Sequence, residues 1–279
     1  MSTSAYERGV YNKQVYSTWR TKWPEFFPSE RYFFEGEGAV PSVKEMSILD
    51  VGGAAGGLGM ALLDSVSSDI KYFNIDPDKE ANKWGRQADP RLELMDGYFP
   101  QDFKLDRKFD MVTMFALFPQ IPDWKSLLLS LKKVSKKYIN LAVSVRLDGP
   151  TVVDIDTSYF YYFDSGERVH QVVHNIYELF NFCSITEMEV SEIKFFGYRT
   201  KNNQPDAFRA LPDNKIIKGN ILIVIDEGRF AEGRTGGCSN AETRSASGVT
   251  RFNVRPDIEV NIEGNIYRNY NEIDNFSFD

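Results

Sequence analysis

The chain has 279 residues, 42% hydrophobic and 26% charged, with a formal net charge of −7. That length buries one substantial core, or a core with an appendage. The acidic balance argues against a protein that grips a phosphate backbone; the nearest basic cluster, Lys132, Lys133, Lys136 and Lys137, falls at the end of a predicted helix, where cations suit the macrodipole.

Cys183 and Cys238 are far apart and form neither a metal-type spacing nor a disulfide framework. The opening MSTSAYERGVYNK lacks the apolar run of a signal peptide, and no stretch approaches the roughly 18 apolar residues of a membrane span. The expectation is a cytoplasmic protein that does not cross a membrane.

Residues 1–45 are an aromatic, proline-containing lead-in, with one or two short helices expected around Tyr6, Val10, Gln14 and Tyr16 to Trp19. Residues 46–145 then alternate strand and helix signals. Met46–Val51 is a short apolar run stopped by glycines, the pattern of a buried strand. Gly57–Val66 has helical spacing, Ile70–Ile75 reads as a second strand, and Asp78–Gln87 as a helix. Leu92–Met95 and Phe109–Phe115 are further strands; Asp123–Val134 is a helix with Trp124, Leu127, Leu128 and Leu131 on one face; Tyr138–Val145 is a fifth strand. Such alternation predicts a parallel sheet with helices on both faces.

Beyond it, Glu167–Phe180 has helical spacing, and strands are expected near Ser184–Phe196 and Asn220–Ile225, forming an antiparallel hairpin at one sheet edge. From Asp226 the composition shifts to Gly, Ser, Arg and Glu. Residues 227–248 read as a linker, after a main domain over 46–226. Residues 249–279 alternate apolar and polar, which leaves three readings open: a hairpin, packing on the main domain, or contact with a partner subunit in a homo-oligomer.

The segment ILDVGGAAGGLG carries the most chemistry. A buried strand ends in Asp50 and opens into a turn with Gly52, Gly53, Gly56 and Gly57 before a helix. Glycines allow sharp turning and close ligand approach, and the helix start offers free N–H groups. Ala54 breaks the G-x-G-x-x-G pattern of a dinucleotide site. An acidic strand end would also repel a phosphate and suits a positively charged ligand.

These residues resemble the first motif of class I S-adenosylmethionine-dependent methyltransferases, with Ala54 in place of the middle glycine. The resemblance continues through Asp76 before Pro77 in YFNIDPD, Asp96 with Gly97 and Tyr98 in LELMDGYF, and the segment FDMVTMFALFPQIPDWKSLL. It implies a Rossmann-like three-layer sandwich, with a mostly parallel seven-stranded sheet, an antiparallel edge hairpin, an N-terminal helical extension and a C-terminal β-rich tail. It also implies S-adenosyl-L-methionine as cofactor and S-adenosyl-L-homocysteine as product. Asp50 with Gly52, Gly53, Ala54 and Gly56 would face the methionine part, and Asp76 beside Pro77 the ribose. Asp96 with Gly97 would face the adenine, near Phe115. Taken alone, Asp76 also suits a helix cap and Asp96-Gly97 a turn.

The substrate side is less determined. The family moves methyl by direct displacement, so a base is needed only where the acceptor must lose a proton. No Asn-Pro-Pro-Tyr run follows the fourth strand, which tilts the expectation to oxygen methylation of a small acceptor such as a sugar or another biosynthetic intermediate. His170 and His174, four apart on the predicted helix, are offered as a general base; a metal pair or two polar surface residues are the other readings, and no metal is expected. Gln120, Arg146 and Tyr161 are substrate-side residues, Arg146 equally suiting a surface ion pair and Tyr161 the core. The resemblance would make Tyr6, Tyr11 and Trp19 lid residues over the cofactor. A nicotinamide oxidoreductase and a non-catalytic binding or assembly module are the competing readings.

Overall fold

The computed structural model describes residues 20–104, 106–115, 117–162, 167–186, 188–199, 207–210, 216–226, 242–244, 250–252 and 256–268. Tyr6, Tyr11, Trp19 and Cys238 lie outside them.

The lead-in contributes α1 (Pro28–Tyr32) between short 3-10 turns. Then follow β1 (Ser47–Val51), α2 (Gly57–Ser65), β2 (Lys71–Asp76), α3 (Lys79–Ala88), β3 (Glu93–Asp96), β4 (Phe109–Met114), α4 (Trp124–Val134) and β5 (Ser135–Arg146). β6 (Tyr159–Tyr162), β7 (Glu167–His170), β8 (His174–Asn175), α5 (Ile176–Ile185), β9 (Val190–Arg199), β10 (Ala207–Ala210) and β11 (Ile217–Ile225) complete the central fold. β12 (Glu242–Arg244), β13 (Thr250–Phe252), β14 (Asp257–Ile262) and β15 (Asn265–Tyr267) lie in the tail.

The strand order is β3-β2-β1-β4-β5-β11-β9-β14-β15. Strands β1 to β5 pair in parallel, and β11 is antiparallel to both β5 and β9. This is a doubly wound, Rossmann-like α/β sheet closed by an antiparallel strand. Among the described residues the sheet has ten strands rather than the expected seven, because β8 joins the end of β5 and β14–β15 extend the far edge. Of the three readings of the tail, its hairpin and its pairing with the chain's own sheet are both present. Glu242–Arg244, inside the stretch read as linker, pairs with Thr250–Phe252.

Alternation along each strand builds two cores, since successive side chains face opposite sides. Leu49, Val51, Phe73, Val112 and Ile139 pack against α4 and α5 side chains such as Trp124, Leu128 and Leu179. Ile48, Tyr72, Met111 and Tyr138 pack with Leu58, Leu62, Trp23, Phe33 and Phe34 from α2 and the lead-in. The lead-in thus covers one face of the sheet, and Tyr32 stacks on Phe196 of β9 at 4.0 Å between ring centroids.

Two expected elements differ. The helix read over Glu167–Phe180 starts only at Ile176, and its first half instead carries the short strands β7 and β8. Asn175 caps it by accepting the Glu178 N–H at 2.9 Å. The strand read from Ser184 starts at Val190, because α5 runs on to Ile185 and a turn with Glu189 at φ 55° intervenes.

A separate three-stranded sheet, β10-β6-β7, is assembled from two insertions. One leaves the carboxyl end of β5 and the other follows β9, so both rise from the same sheet edge, where ligands bind in open α/β sheets.

Candidate functional site

The site begins where β1 ends. Gly52, Ala54 and Gly56 have φ of 76°, 48° and 78°, so the loop turns through three left-handed residues before α2 starts. A Cβ on Gly53 would lie 2.2 Å from Asp50 Oδ2, so the loop closes tightly over that carboxylate.

Side chains from the neighbouring strand hold this loop. Asn74 Oδ1 accepts the Gly53 N–H at 3.0 Å and Asn74 Nδ2 donates to Ala54 O at 2.7 Å. Asp76 Oδ2 accepts the Ala54 N–H at 2.9 Å, and its Oδ1 accepts the Asp78 N–H at 2.8 Å. Asp78 in turn caps α3 by accepting the Ala81 N–H at 2.9 Å. Burial pushes the Asp76 carboxyl up to about 6, against those two backbone hydrogen bonds.

Asp50 is equally enclosed. Tyr72 donates its O–H to Oδ2 at 2.6 Å and Thr113 to Oδ1 at 2.9 Å. Burial outweighs both bonds and raises the carboxyl to about 6. Asn74, Asp50, Thr113 and Asn140 occupy matching positions on β2, β1, β4 and β5. Register partners share a sheet face, so these buried polar side chains form one belt beneath the loop. Asn220 Nδ2 extends it from β11, donating to Asn140 Oδ1 at 3.2 Å.

Asp96 is the most accessible of the three acids. Asn82 Nδ2 and Arg86 Nη2 both donate to its Oδ1, at 3.0 and 2.8 Å. Among the described residues Oδ2 has no hydrogen bond, and the side chain is 36% exposed. Gly97, at φ 153°, follows it and donates its N–H to Asp76 O at 3.1 Å. Pro77 and Gly97 are half-buried and Tyr98 is exposed. Phe115 is instead buried with the lead-in side chains. Leu117 packs on Gly52, where a Cβ would come within 2.7 Å of Leu117 Cδ2.

The histidines are not on one helix face. His170 ends β7, with Nδ1 3.0 Å from Val153 O, and His174 lies on β8. His174 is fully buried, stacked on Phe118 at 5.3 Å and edge-on to Trp124 at 5.1 Å. Neither ring nitrogen has a hydrogen-bond partner among the described residues. Burial depresses its titration to about 3; a weak base sealed from solvent, His174 does not suit the general-base role expected of it. Gln120 ends the 3-10 turn after β4, and Tyr161 is half-buried on β6. Arg146, at the end of β5, packs against Gly149 and lies 3.8 Å from Asp148. Among the described residues no cluster of His, Cys, Asp and Glu could hold a metal ion, and no helix is long and apolar enough to cross a membrane.

Asn74, Asn82, Tyr72 and Thr113 escaped the sequence reading. The signal for Asn74 was present, an amide inside the apolar run YFNI. The others needed the register to show what they touch.

No family model and no curated protein matches the sequence. Solved structures similar in shape include coclaurine N-methyltransferase bound to N-methylheliamine and SAH, at 12% identity and a TM-score of 0.44, covering 61% of this chain and 48% of that one. The N-terminal domain of EvdMO1 with SAH and D-fucose has 15% identity and a TM-score of 0.45, over 64% and 76% of the two chains. Magnesium protoporphyrin IX methyltransferase from Synechocystis PCC 6803 with bound SAM has 11% identity and a TM-score of 0.43, over 66% and 72%. The chain spans about half the length of the first of these. The fold itself is fixed by this chain's own strand order: a doubly wound, Rossmann-like sheet, with acidic residues at the ends of its first three strands and a glycine-rich turn after the first.

Proposed function

We propose that this chain is an S-adenosylmethionine-dependent methyltransferase that methylates an oxygen of a small acceptor, such as a sugar or another biosynthetic intermediate. The observation that carries the reading is the state of Asp96: two donors fix one carboxylate oxygen while the other, on a partly exposed side chain at the carboxyl edge, is left to accept an N–H. An exocyclic amine such as that of adenine supplies one.

The rest of the site is compatible with the cofactor. Asp76 has used one acceptor position on each oxygen, and an ionised carboxylate has about four in all; the remainder suit two ribose hydroxyls. Asp50 supplies negative charge beneath the loop, matching an amino group or sulfonium. When bound, the cofactor supplies an electrophilic methyl group. This chain then has to hold the acceptor oxygen in line, which is work of positioning and water exclusion. The three-stranded sheet β10-β6-β7, with Tyr161 on β6, and the end of β5 with Arg146 are the elements we assign to the acceptor. His170 is the remaining histidine for a general base.

A second reading has an observation of its own. Asp76 is 2% exposed and both of its oxygens already bind backbone N–H groups, as in a fold kept for binding or assembly alone.

Calorimetric titration with S-adenosylmethionine, and separately NADH, distinguishes these readings. Micromolar binding of the methyl donor that is lost in Asp76→Ala, followed by turnover in a screen of hydroxylated acceptors, is the expected result. Binding without turnover favours the module, and binding of NADH instead, or of neither ligand, overturns the proposal.

A further inference from the structure

The opposite edge of the sheet carries a second concentration of chemistry. Ser47, Lys71, Phe109 and Lys136 sit at or near the first residues of β1, β2, β4 and β5, and together they line a concavity of about 260 Å³. Its walls carry four cations, Lys71, Arg107, Lys108 and Lys136, against two acids, Glu45 and Asp110. In a chain of net charge −7 this is a local reversal of sign.

One of the two acids is already committed. Asp110 Oδ2 accepts the Ser47 N–H at 2.8 Å and the Ser47 O–H at 2.6 Å, and its Oδ1 accepts Lys136 Nζ at 3.0 Å. Partial burial opposes its ionisation, but these bonds and Lys136 outweigh that and hold the carboxyl below its usual range. Asp110 and Lys136 therefore offset one another, and Lys71 and Arg107 share the concavity with Glu45.

Arg107 is also held in place. Its guanidinium lies 3.9 Å from the centroid of Phe73 and 5.0 Å from that of Phe109, both buried rings. Its ion pair to Glu93 is long, 3.9 Å, and exposed on both sides, so it neutralises little in water. A guanidinium fixed on aromatic faces keeps its donors pre-arranged for an oxyanion. Past Asp110 and Lys136 the concavity continues into a second one of about 570 Å³, walled by Lys137, Val224 and Ile225 among others.

We propose that this amino-edge groove binds a small phosphate-bearing anion, with the phosphate between Lys71 and Arg107 and any organic part in the adjoining concavity. The site is separate from the glycine-rich loop and does not depend on the methyl-donor assignment.

The test is calorimetric titration of the full chain with inorganic phosphate and with glucose 6-phosphate at low salt. Saturable binding with a Kd on the order of 1 mM or tighter is expected. Lys71→Gln and Arg107→Gln should each weaken it by about fivefold, while Asp76→Ala leaves it unchanged. Lys71 is exposed, so Lys71→Gln isolates charge from folding should Arg107→Gln fail to fold. Tighter binding of the ester supports use of the second concavity, and equal binding supports recognition of the phosphate alone. Absence of saturable binding, or wild-type affinity in Lys71→Gln, overturns the proposal.

Discussion

The Ala54 N–H donates to Asp76 Oδ2 at 2.9 Å, so the carboxylate that ends β2 fixes the loop that ends β1. Asp78 N–H takes the other oxygen and starts α3. One side chain therefore organises the glycine-rich turn and the helix after the next strand.

Asp76→Ala leaves two backbone N–H groups without their acceptor. It should cost about 1–3 kcal/mol of stability and abolish methyl-donor binding. Asp76→Asn keeps one acceptor oxygen, so thermal unfolding should recover part of the loss while calorimetry still finds weak binding. Wild-type donor affinity in Asp76→Asn would make Asp76 a loop anchor only.

Gly53 admits no side chain. A Cβ there would meet Asp50 Oδ2 at 2.2 Å and Asn74 Oδ1 at 2.8 Å. Gly53→Ala should destabilise by about 2–4 kcal/mol. Removing the obstacle with Asp50→Ala should make the double variant less unstable than the sum of the singles, with about 1–2 kcal/mol of coupling. Denaturant melts of the four proteins measure this, and strict additivity would contradict the geometry.

His174 is an imidazole in an aromatic box, with Phe118 and Trp124 on two sides and no partner for either nitrogen among the described residues. His174→Phe removes two unsatisfied polar atoms and keeps a ring of similar shape. It should raise stability at pH 7 by about 1 kcal/mol, read as a higher midpoint in thermal unfolding. A lower midpoint would mean that the nitrogens have partners.

The pH dependence has two opposing parts. His174 titrates near 3 in the fold against an ordinary 6.5, so between those values the unfolded chain binds the extra proton and stability falls as pH drops. Asp50 and Asp76, at about 6 against 3.8, bind protons in the fold first, so their contribution grows as pH drops through 6. The advantage of His174→Phe over wild type should widen by up to about 1.4 kcal/mol per pH unit below 6.5. Donor binding should weaken below pH 6 as Asp76 takes up a proton. Melts and calorimetry at pH 5 and 7 check both.

The alternation of strands and helices over 46–145 was legible because buried parallel strands are short apolar runs between turn residues, and their helices keep a 3.6-residue period. The stretch VHQVVHNIYELF was ambiguous because its valines fit either period. Val172 and Val173, between β7 and β8, are both fully buried, so no alternation marked the extended stretch. The motif Asn175-x-x-Glu178 was the available start signal, and the helix begins there.

The sequence by itself determined the doubly wound sheet, the glycine turn and the acids at three strand ends, because these follow from local pattern and spacing. Only the tertiary structure decided that Asn74, Asp50, Thr113 and Asn140 form one belt, that among the described residues Asp96 keeps an oxygen without a partner while Asp76 does not, and that His174 is sealed among aromatic rings. It also decided that cations from three distant segments meet at the amino edge. Each of these depends on strand register and on which side chains close over a residue, and the order of residues along one chain does not encode either locally.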